Sequence, residues 1–366
     1  MNLVASVRNS LSKQDMIRPG DTVICAVSGG ADSICMLSVL LAIGMSPEAP
    51  GPFRIICVHV HHAIRGAEAD EDAAFVRMFC EARNIPFTLK NVNAPETAAG
   101  TPHASLEEAA RHLRYRALAE AAREAESEAE AGTRIRIAVA HNLDDDAETV
   151  LFNLFRGTGM RGLCGIRPVN GMLIRPLLHV ARAEIEAWLS ENGLSYRTDR
   201  TNRETTYARN RIRSELLAGA REHINAQAVK HIAQAAKDMR GARDYIDARV
   251  DEAYARCKTK LPPYLSDRQD ARYVLSVRAL RGEDAFLRAE LLSRLLQEAS
   301  AVSGQSGPAG VPQTPVPPPS SYYQIGRAHI EAVLGLVTSD NGRASLDLPG
   351  RVGASRIHDF LLISMV

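Results

Sequence analysis

The sequence predicts a doubly wound α/β fold on a mostly parallel sheet, followed by a helical linker and a smaller α+β C-terminal domain. Three observations predict it. Apolar runs at 22–27, 54–60, 87–92 and 134–140 are each followed by a polar turn and a helical pattern, and strands alternating with helices pack as a parallel sheet covered on both faces. From about 205 to 256 the pattern becomes helical and rich in alanine, arginine and glutamate. At 366 residues the chain also exceeds one typical domain, so two or three are expected.

Each element has its own signal. Val23-Ile24-Cys25-Ala26-Val27 reads as a buried strand, and Ile34, Leu37, Val39, Leu40 and Leu41 mark the helix after it. The helix at 105–125 opens with Ser105-Leu106-Glu107-Glu108, where serine and a glutamate three residues on satisfy each other's backbone donors. Met172-Leu173-Ile174 reads as an edge strand, and the helix at 181–192 ends at Gly193. The helical pattern of 205–256 is interrupted by Pro262-Pro263. A second helical stretch is expected over 270–298, with Leu280, Leu287, Leu291, Leu292 and Leu295 in its core. Residues 301–321, rich in glycine, serine and proline, read as a flexible, partly extended loop. The segments 344–350 and 360–363 suggest a small β-hairpin. The expected domains are therefore 1–217, a linker at 218–260, and 261–366.

A charged fraction of 24% and a hydrophobic fraction of 45% are ordinary for a soluble protein. No apolar run approaches membrane-spanning length, and Met1 to Gln14 lacks the apolar core of a secretory signal, so no membrane partner and a cytoplasmic location are expected. The six cysteines form no Cys-x-x-Cys pair, which argues against a disulfide framework and a zinc or iron–sulfur site. A net charge of +1 argues against a protein coated in positive charge, but a nucleic-acid footprint can be local. Arginine supplies nearly all the positive charge, and it can fork onto phosphates and stack on bases.

The most informative stretch is Ser28-Gly29-Gly30-Ala31-Asp32-Ser33. Strand, glycine turn and helix aim backbone N–H groups and a helix N-terminus at a phosphate. Ser28 and Ser33 add hydroxyls, and Asp32 is placed to hold a magnesium ion against the phosphates. Without a Gly-Lys-Ser/Thr ending it is not a Walker A loop. It looks like the pyrophosphate-binding loop of enzymes that split ATP into AMP and pyrophosphate; the bland alternative is a serine- and glycine-rich turn. Three further constellations fall beyond strand ends, where a doubly wound sheet places its site. His59-Val60-His61-His62-Ala63-Ile64-Arg65-Gly66 reads as polar lining of a nucleotide or substrate cleft, with a metal site and strand-end packing as alternatives. In Ala140-His141-Asn142-Leu143-Asp144-Asp145-Asp146-Ala147-Glu148-Thr149, carboxylates three and four residues apart share a helix face. The helix dipole favours acids in a first turn, but a cluster reaching the second turn implies a cation, either magnesium or an ammonium substrate. Phe155-Arg156-Gly157-Thr158-Gly159-Met160-Arg161-Gly162-Leu163 reads as a glycine cap or as a loop admitting an RNA backbone. Arg111 and Arg114, with Arg209-Asn210-Arg211-Ile212-Arg213, form a related set whose alternative is a solvated helix face.

In order along the chain, Ser28–Ser33, His59–Arg65, Ala110-Arg111 with Arg114-Tyr115, Ala140–Thr149, Arg156–Leu163, Arg175-Pro176-Leu177 and Asp199 with Arg209–Arg213 resemble the tRNA(Ile)-lysidine synthetases. The resemblance runs from about 20 to 217, with a weaker match at Leu348-Pro349-Gly350, as in the family's shorter members. The hexapeptide marks only the PP-loop ATP pyrophosphatase superfamily, whereas His141–Leu163 and the Arg-Asn-x-Ile-Arg element are more specific. The chain departs from the usual pattern at His61-His62-Ala63, where Asn-His-Gly is frequent, at Asp146, usually glutamine, and at Asn142, often histidine.

The resemblance implies ATP-dependent ligation of L-lysine to C2 of the wobble cytidine of tRNA(Ile) with a CAU anticodon, through an adenylated cytidine. It implies ATP and phosphate binding by Ser28, Gly29, Gly30, Ala31, Asp32, Ser33 and His59, and Mg2+ at Asp32. Asp145 and Glu148 would bind lysine, and Arg111 the triphosphate or the adenylated base. Arg65, Arg156, Arg161, Arg209, Arg211 and Arg213 would contact tRNA. Oligomeric state is left open, a homodimer included. The rivals are a tRNA thiolase of the same superfamily, weakened by the unpaired cysteines, an amide ligase, and a non-catalytic nucleotide-binding regulatory module.

Overall fold

In the computed structural model, the described residues are 3–46, 48, 50–64, 66–100, 105–198, 208–268, 270–303 and 325–365, with side chains at 208 and 301–303 excepted. The chain divides into two compact units, Met1–Gly241 and Ala242–Val366.

The first unit begins α1 (Leu3–Lys13), β1 (Thr22–Ala26), α2 (Ala31–Gly44), β2 (Arg54–His61), α3 (Ala67–Glu81), β3 (Phe87–Asn91), α4 (Ala94–Gly100), α5 (Leu106–Glu128) and β4 (Ile135–Ala138). It continues α6 (Leu143–Phe155), α7 (Met160–Leu163), β5 (Val169–Asn170), β6 (Leu173–Ile174), α8 (Arg182–Glu191) and α9 (Ala208–Arg211). A π-helical turn, Ile212–Leu217, leads into α10 (Ala218–His223), and α11 (Ala228–Cys257) contains the division between the units. That division falls inside the stretch read as a helical linker.

The sheet order is β3-β2-β1-β4-β6-β5, parallel except for β5, which runs antiparallel to β6. β1 is central, with Val23 level with Ile55 on one side and Arg136 on the other. Buried on both faces, it reads as a continuous apolar run. α2 is apolar almost all round because it lies between the sheet and the helices α1 and α8; Ile34, Cys35, Met36, Leu37, Val39, Leu40 and Ile43 are all fully buried. Successive strands step outward from β1 to β3, and the chain then returns to the other side of β1 with β4. The strand order therefore reverses between β1 and β4, and the crevice at their carboxyl ends is where such a sheet opens to a ligand. The capping box at Ser105 and Glu108 forms as expected.

In the second unit, β7 (Ala271–Ser276), α12 (Val277–Gly282), α13 (Ala285–Ser303), α14 (Arg327–Thr338), β8 (Arg343–Leu348), β9 (Val352–Ile357) and β10 (Phe360–Met365) form an antiparallel sheet, order β7-β10-β9-β8, with helices packed on it. Two expectations are corrected here. The stretch 270–298 is not helical throughout, because Tyr273-Val274-Leu275 has a bulky, strand-favouring composition and finds a partner in β10. The C-terminal hairpin is instead two successive hairpins, β8 with β9 and β9 with β10, the first turning through Gly350 and Arg351 at positive φ. The loop expected at 301–321 lies almost wholly outside the described residues.

Candidate active site

β1 delivers the chain to the phosphate loop, which is held by one hydroxyl. Ser33 Oγ accepts from the Ser28 and Gly29 amides, each at 3.2 Å, and donates to the Gly30 carbonyl at 2.9 Å. Gly29 has φ +93°, a conformation that side chains with a Cβ rarely adopt, so this position demands glycine. Gly30 caps α2, whose positive end faces the turn. His59 donates from Nδ1 to the Val27 carbonyl at 2.8 Å, and burial lowers its pKa, so it stands neutral with Nε2 an acceptor. Ser28, Gly30, Ala31, Asp32, Ser33 and His59 line one cleft of about 470 Å3, with Tyr115, His141, Arg182 and Arg197 among its other walls.

Across the crevice β4 runs into α6. Asn142 caps this helix reciprocally: its side chain accepts from the Asp145 amide at 3.0 Å, and Asp145 Oδ2 accepts from the Asn142 amide at 3.0 Å. The Asn142 Nδ2 then donates to Asp32 Oδ1 at 3.1 Å, joining the acidic helix to the phosphate loop. The other Asp32 oxygen accepts from Arg182 Nη1 at 2.9 Å. Burial raises the Asp32 pKa, and Arg182 opposes that shift.

The cations meeting the acidic run are the chain's own arginines. Arg213 forks onto Glu148, with Nε on Oε1 at 2.5 Å and Nη2 on Oε2 at 3.0 Å, and Nη2 also reaches Asp145 Oδ1 at 3.1 Å. Asp144 pairs with Arg221 and accepts from the Arg182 amide at 2.9 Å. Asp146, 1% exposed, accepts from the Ile166 amide at 2.6 Å and pairs with Arg240 at 3.2 Å. Burial raises the pKa of Asp145 and of Asp146. His141 is held down to about 3 by burial and then by Arg175, which donates to its Nδ1 at 3.4 Å.

The arginines expected at RNA separate into groups. Arg156 and Arg209 both lie over the Phe152 ring, at 5.2 and 5.3 Å from its centroid. Arg161 and Arg211 are exposed, Arg211 at 3.5 Å from Glu215. Arg213 instead turns toward the carboxylates. Arg111 is exposed on α5 over the Tyr115 ring at 5.2 Å, and Arg65 lies outside the described residues. Sequence reasoning missed Asn142, Arg182, Arg221 and Arg240 as partners. An Asn-x-x-Asp cap was readable, but the arginines lie 38 to 150 positions from the aspartates they bind.

A strand-end phosphate loop facing an acidic helix across a sheet's switch point defines a PP-loop nucleotide-binding domain, and the family model described as a PP-loop domain matches residues 3–220. The chain is 32% identical over 363 residues to the tRNA(Ile)-lysidine synthase of Caldanaerobacter subterraneus subsp. tengcongensis, covering 99% of this chain and 69% of that relative. It belongs to the tRNA(Ile)-lysidine synthase family, whose members are ligases. The enzyme of that name from Geobacter sulfurreducens is 31% identical, covering 98% and 68%. That of Clostridioides difficile is 35% identical over 249 residues, covering 68% of this chain and 51% of the relative. The chain thus spans about half to just over two thirds of the length of these relatives. The U34-tRNA thiolase NcsA from Methanococcus maripaludis shares the fold, with a TM-score of 0.50, 20% identity, and coverage of 65% of this chain and 77% of that one. Among the described residues no helix is long and apolar enough to cross a membrane.

Proposed function

We propose that this protein ligates L-lysine to C2 of the wobble cytidine of tRNA(Ile) with a CAU anticodon, consuming ATP and releasing AMP and pyrophosphate. The observation carrying this reading is the Asn142 bridge, which sets the phosphate loop and the Asp145–Glu148 pair side by side. In the first step the cytidine O2 attacks the α-phosphorus, and the bond to the bridging oxygen breaks with its electron pair on pyrophosphate. The N-terminus of α2, with the first-turn amides that follow Gly30, stabilises that charge. Asp32 is the loop's single carboxylate, its oxygens held by Asn142 and Arg182; Mg2+ is commonly held by one or two carboxylates together with substrate phosphates, so Asp32 would hold the ion where the phosphates take over Arg182. When bound it would neutralise phosphate charge.

In the second step the lysine ε-amine attacks C2, the C2–O bond breaks, and AMP leaves. Asp145 and Glu148 contribute two negative charges against one positive charge on Arg213, so one negative charge remains for an ε-ammonium. That ammonium must lose a proton before attack, and burial makes the Asp145 carboxylate a better acceptor. Arg111, stacked on a cleft-lining tyrosine, is assigned to the triphosphate or the adenylated base. Arg65, Arg156, Arg161, Arg209 and Arg211, with the C-terminal unit, are assigned to tRNA. Sulfur transfer finds less support, since all six cysteines are buried.

The test is mass spectrometry of tRNA bearing a CAU anticodon after incubation with ATP and labelled lysine. Label in the anticodon that requires both ATP and this protein is expected. Unlabelled tRNA, or sulfur in place of lysine, overturns the reading; no pyrophosphate release would point to a regulatory module.

A further inference from the structure

Among the described residues, three guanidinium groups line the nucleotide cleft without an assigned role: Arg114, Arg182 and Arg197. The Arg197 guanidinium is held by the exposed Glu71 at 2.7 Å and by the half-buried, cleft-lining Asp72 at 2.9 Å, while its backbone amide donates to the Gly29 carbonyl at 2.9 Å. Arg114 donates to His62 at 3.5 Å. Arg182 differs because it reaches the phosphate loop's own helix. Its Nη1 lies 2.9 Å from Asp32 Oδ2, while Nε holds Glu186 at 3.0 Å.

The backbone beneath this side chain is fixed at two points. The Leu143 amide donates to the Val180 carbonyl at 3.0 Å, and the Arg182 amide donates to Asp144 Oδ2 at 2.9 Å. These bonds dock the start of α8 on the start of α6. Among the described residues the guanidinium itself, with its side chain 35% exposed, is anchored by the carboxylates of Asp32 and Glu186. A polyphosphate seated on Ser28–Ser33 would bring several negative charges against Asp32. That carboxylate cannot neutralise them, whereas a guanidinium one side chain away forks naturally onto phosphate oxygens.

We propose that Arg182 binds the pyrophosphate half of ATP, leaving Asp32 for the phosphates, and carries part of the charge of departing pyrophosphate during adenylation. This rests on the ATP-dependent reading above but not on the identity of the acceptor. The pyrophosphate half is specified because Asp32, which Arg182 touches, belongs to the loop that cradles it.

Calorimetric titration of the 366-residue chain with Mg-ATP, Mg-pyrophosphate and AMP separates the possibilities. For R182Q, affinity for Mg-ATP and Mg-pyrophosphate should each fall at least tenfold, with AMP within twofold of the parent, and R182K should recover part of the loss. Equal weakening for all three ligands would make Arg182 a positioning residue for the cleft and overturn the proposal, as would unchanged affinity throughout. If R182Q fails to fold by circular dichroism, R182K decides: a several-fold loss confined to the two pyrophosphate-bearing ligands supports the fork, and none refutes it. This pattern in the variants, with a parent protein that never labels tRNA with lysine, would refute the proposed function and leave Arg182 in place.

Discussion

Replacing Arg240 with alanine should be among the most damaging single changes in the first unit, although Arg240 lies far from the phosphate loop in sequence. Arg240 is 7% exposed, and its guanidinium donates from Nη1 to Asp146 Oδ2 at 3.2 Å, the Cys164 carbonyl at 2.7 Å and the Ile166 carbonyl at 3.0 Å. R240A leaves a buried carboxylate with the Ile166 amide but without its countercharge. Breaking one side of a buried pair costs about 3–5 kcal/mol, and in a unit of this size that lowers Tm by roughly 6–20 °C. Unfolding should be followed through Trp188, the sole tryptophan, which packs against the core of the first unit, so that the second unit's transition does not blur the result. Burial already raises the Asp146 pKa, and loss of Arg240 should raise it further. The folded variant then binds more protons than its unfolded chain between the unfolded and folded pKa values, so its stability falls as pH rises through that window. The deficit against the parent should therefore be smaller at pH 5 than at pH 8. D146N, which needs no countercharge, should rescue R240A in part. A loss under about 1 kcal/mol, or no rescue by D146N, would show that the buried pair does not hold this region together.

E148Q removes one charge-assisted contact to an ε-ammonium, about 1.5–3 kcal/mol, so the lysine requirement should rise by roughly 10- to 150-fold while tRNA adenylation continues. Single-turnover assays with labelled ATP check this, and lost adenylation with normal lysine binding would move Glu148 to the phosphate side. D32A should abolish adenylation while Tm moves little, because the carboxylate sits in the cleft and not in the apolar core; normal adenylation with magnesium present would refute its role. G29A should cost about 1–2 kcal/mol from its φ of +93°, measured by urea titration, and should weaken ATP binding. His141, held to about 3, should show no imidazole titration by NMR between pH 5 and 8.

Local pattern was enough for the sheet and the loop. β1 and α2 could be read directly because strand burial on both faces and an all-round apolar helix leave unbroken hydrophobic runs. The Ser28–Ser33 turn was readable because its glycine and hydroxyl chemistry acts within six residues. Strand signals near 271–276 were hidden by the leucine-rich helices after them, since partners such as β10 lie about 85 positions away and pairing leaves no local trace.

The acidic helix divides most clearly between the two sources of information. By spacing alone, Asp144, Asp145, Asp146 and Glu148 are similar carboxylates on neighbouring turns, and the family resemblance singles out Asp145 and Glu148. The tertiary structure gives each its partner, sending Asp144 to Arg221, Asp145 and Glu148 to Arg213, and Asp146 to Arg240. Those partners come from segments 65 to 94 residues downstream, so their choice depends on how helices pack and not on spacing along one helix. Sequence alone determined which residue types reach the crevice between β1 and β4. Packing decided which of them keep a net charge there, because a carboxylate's charge in a buried site is set by the cations that share its low-dielectric surroundings.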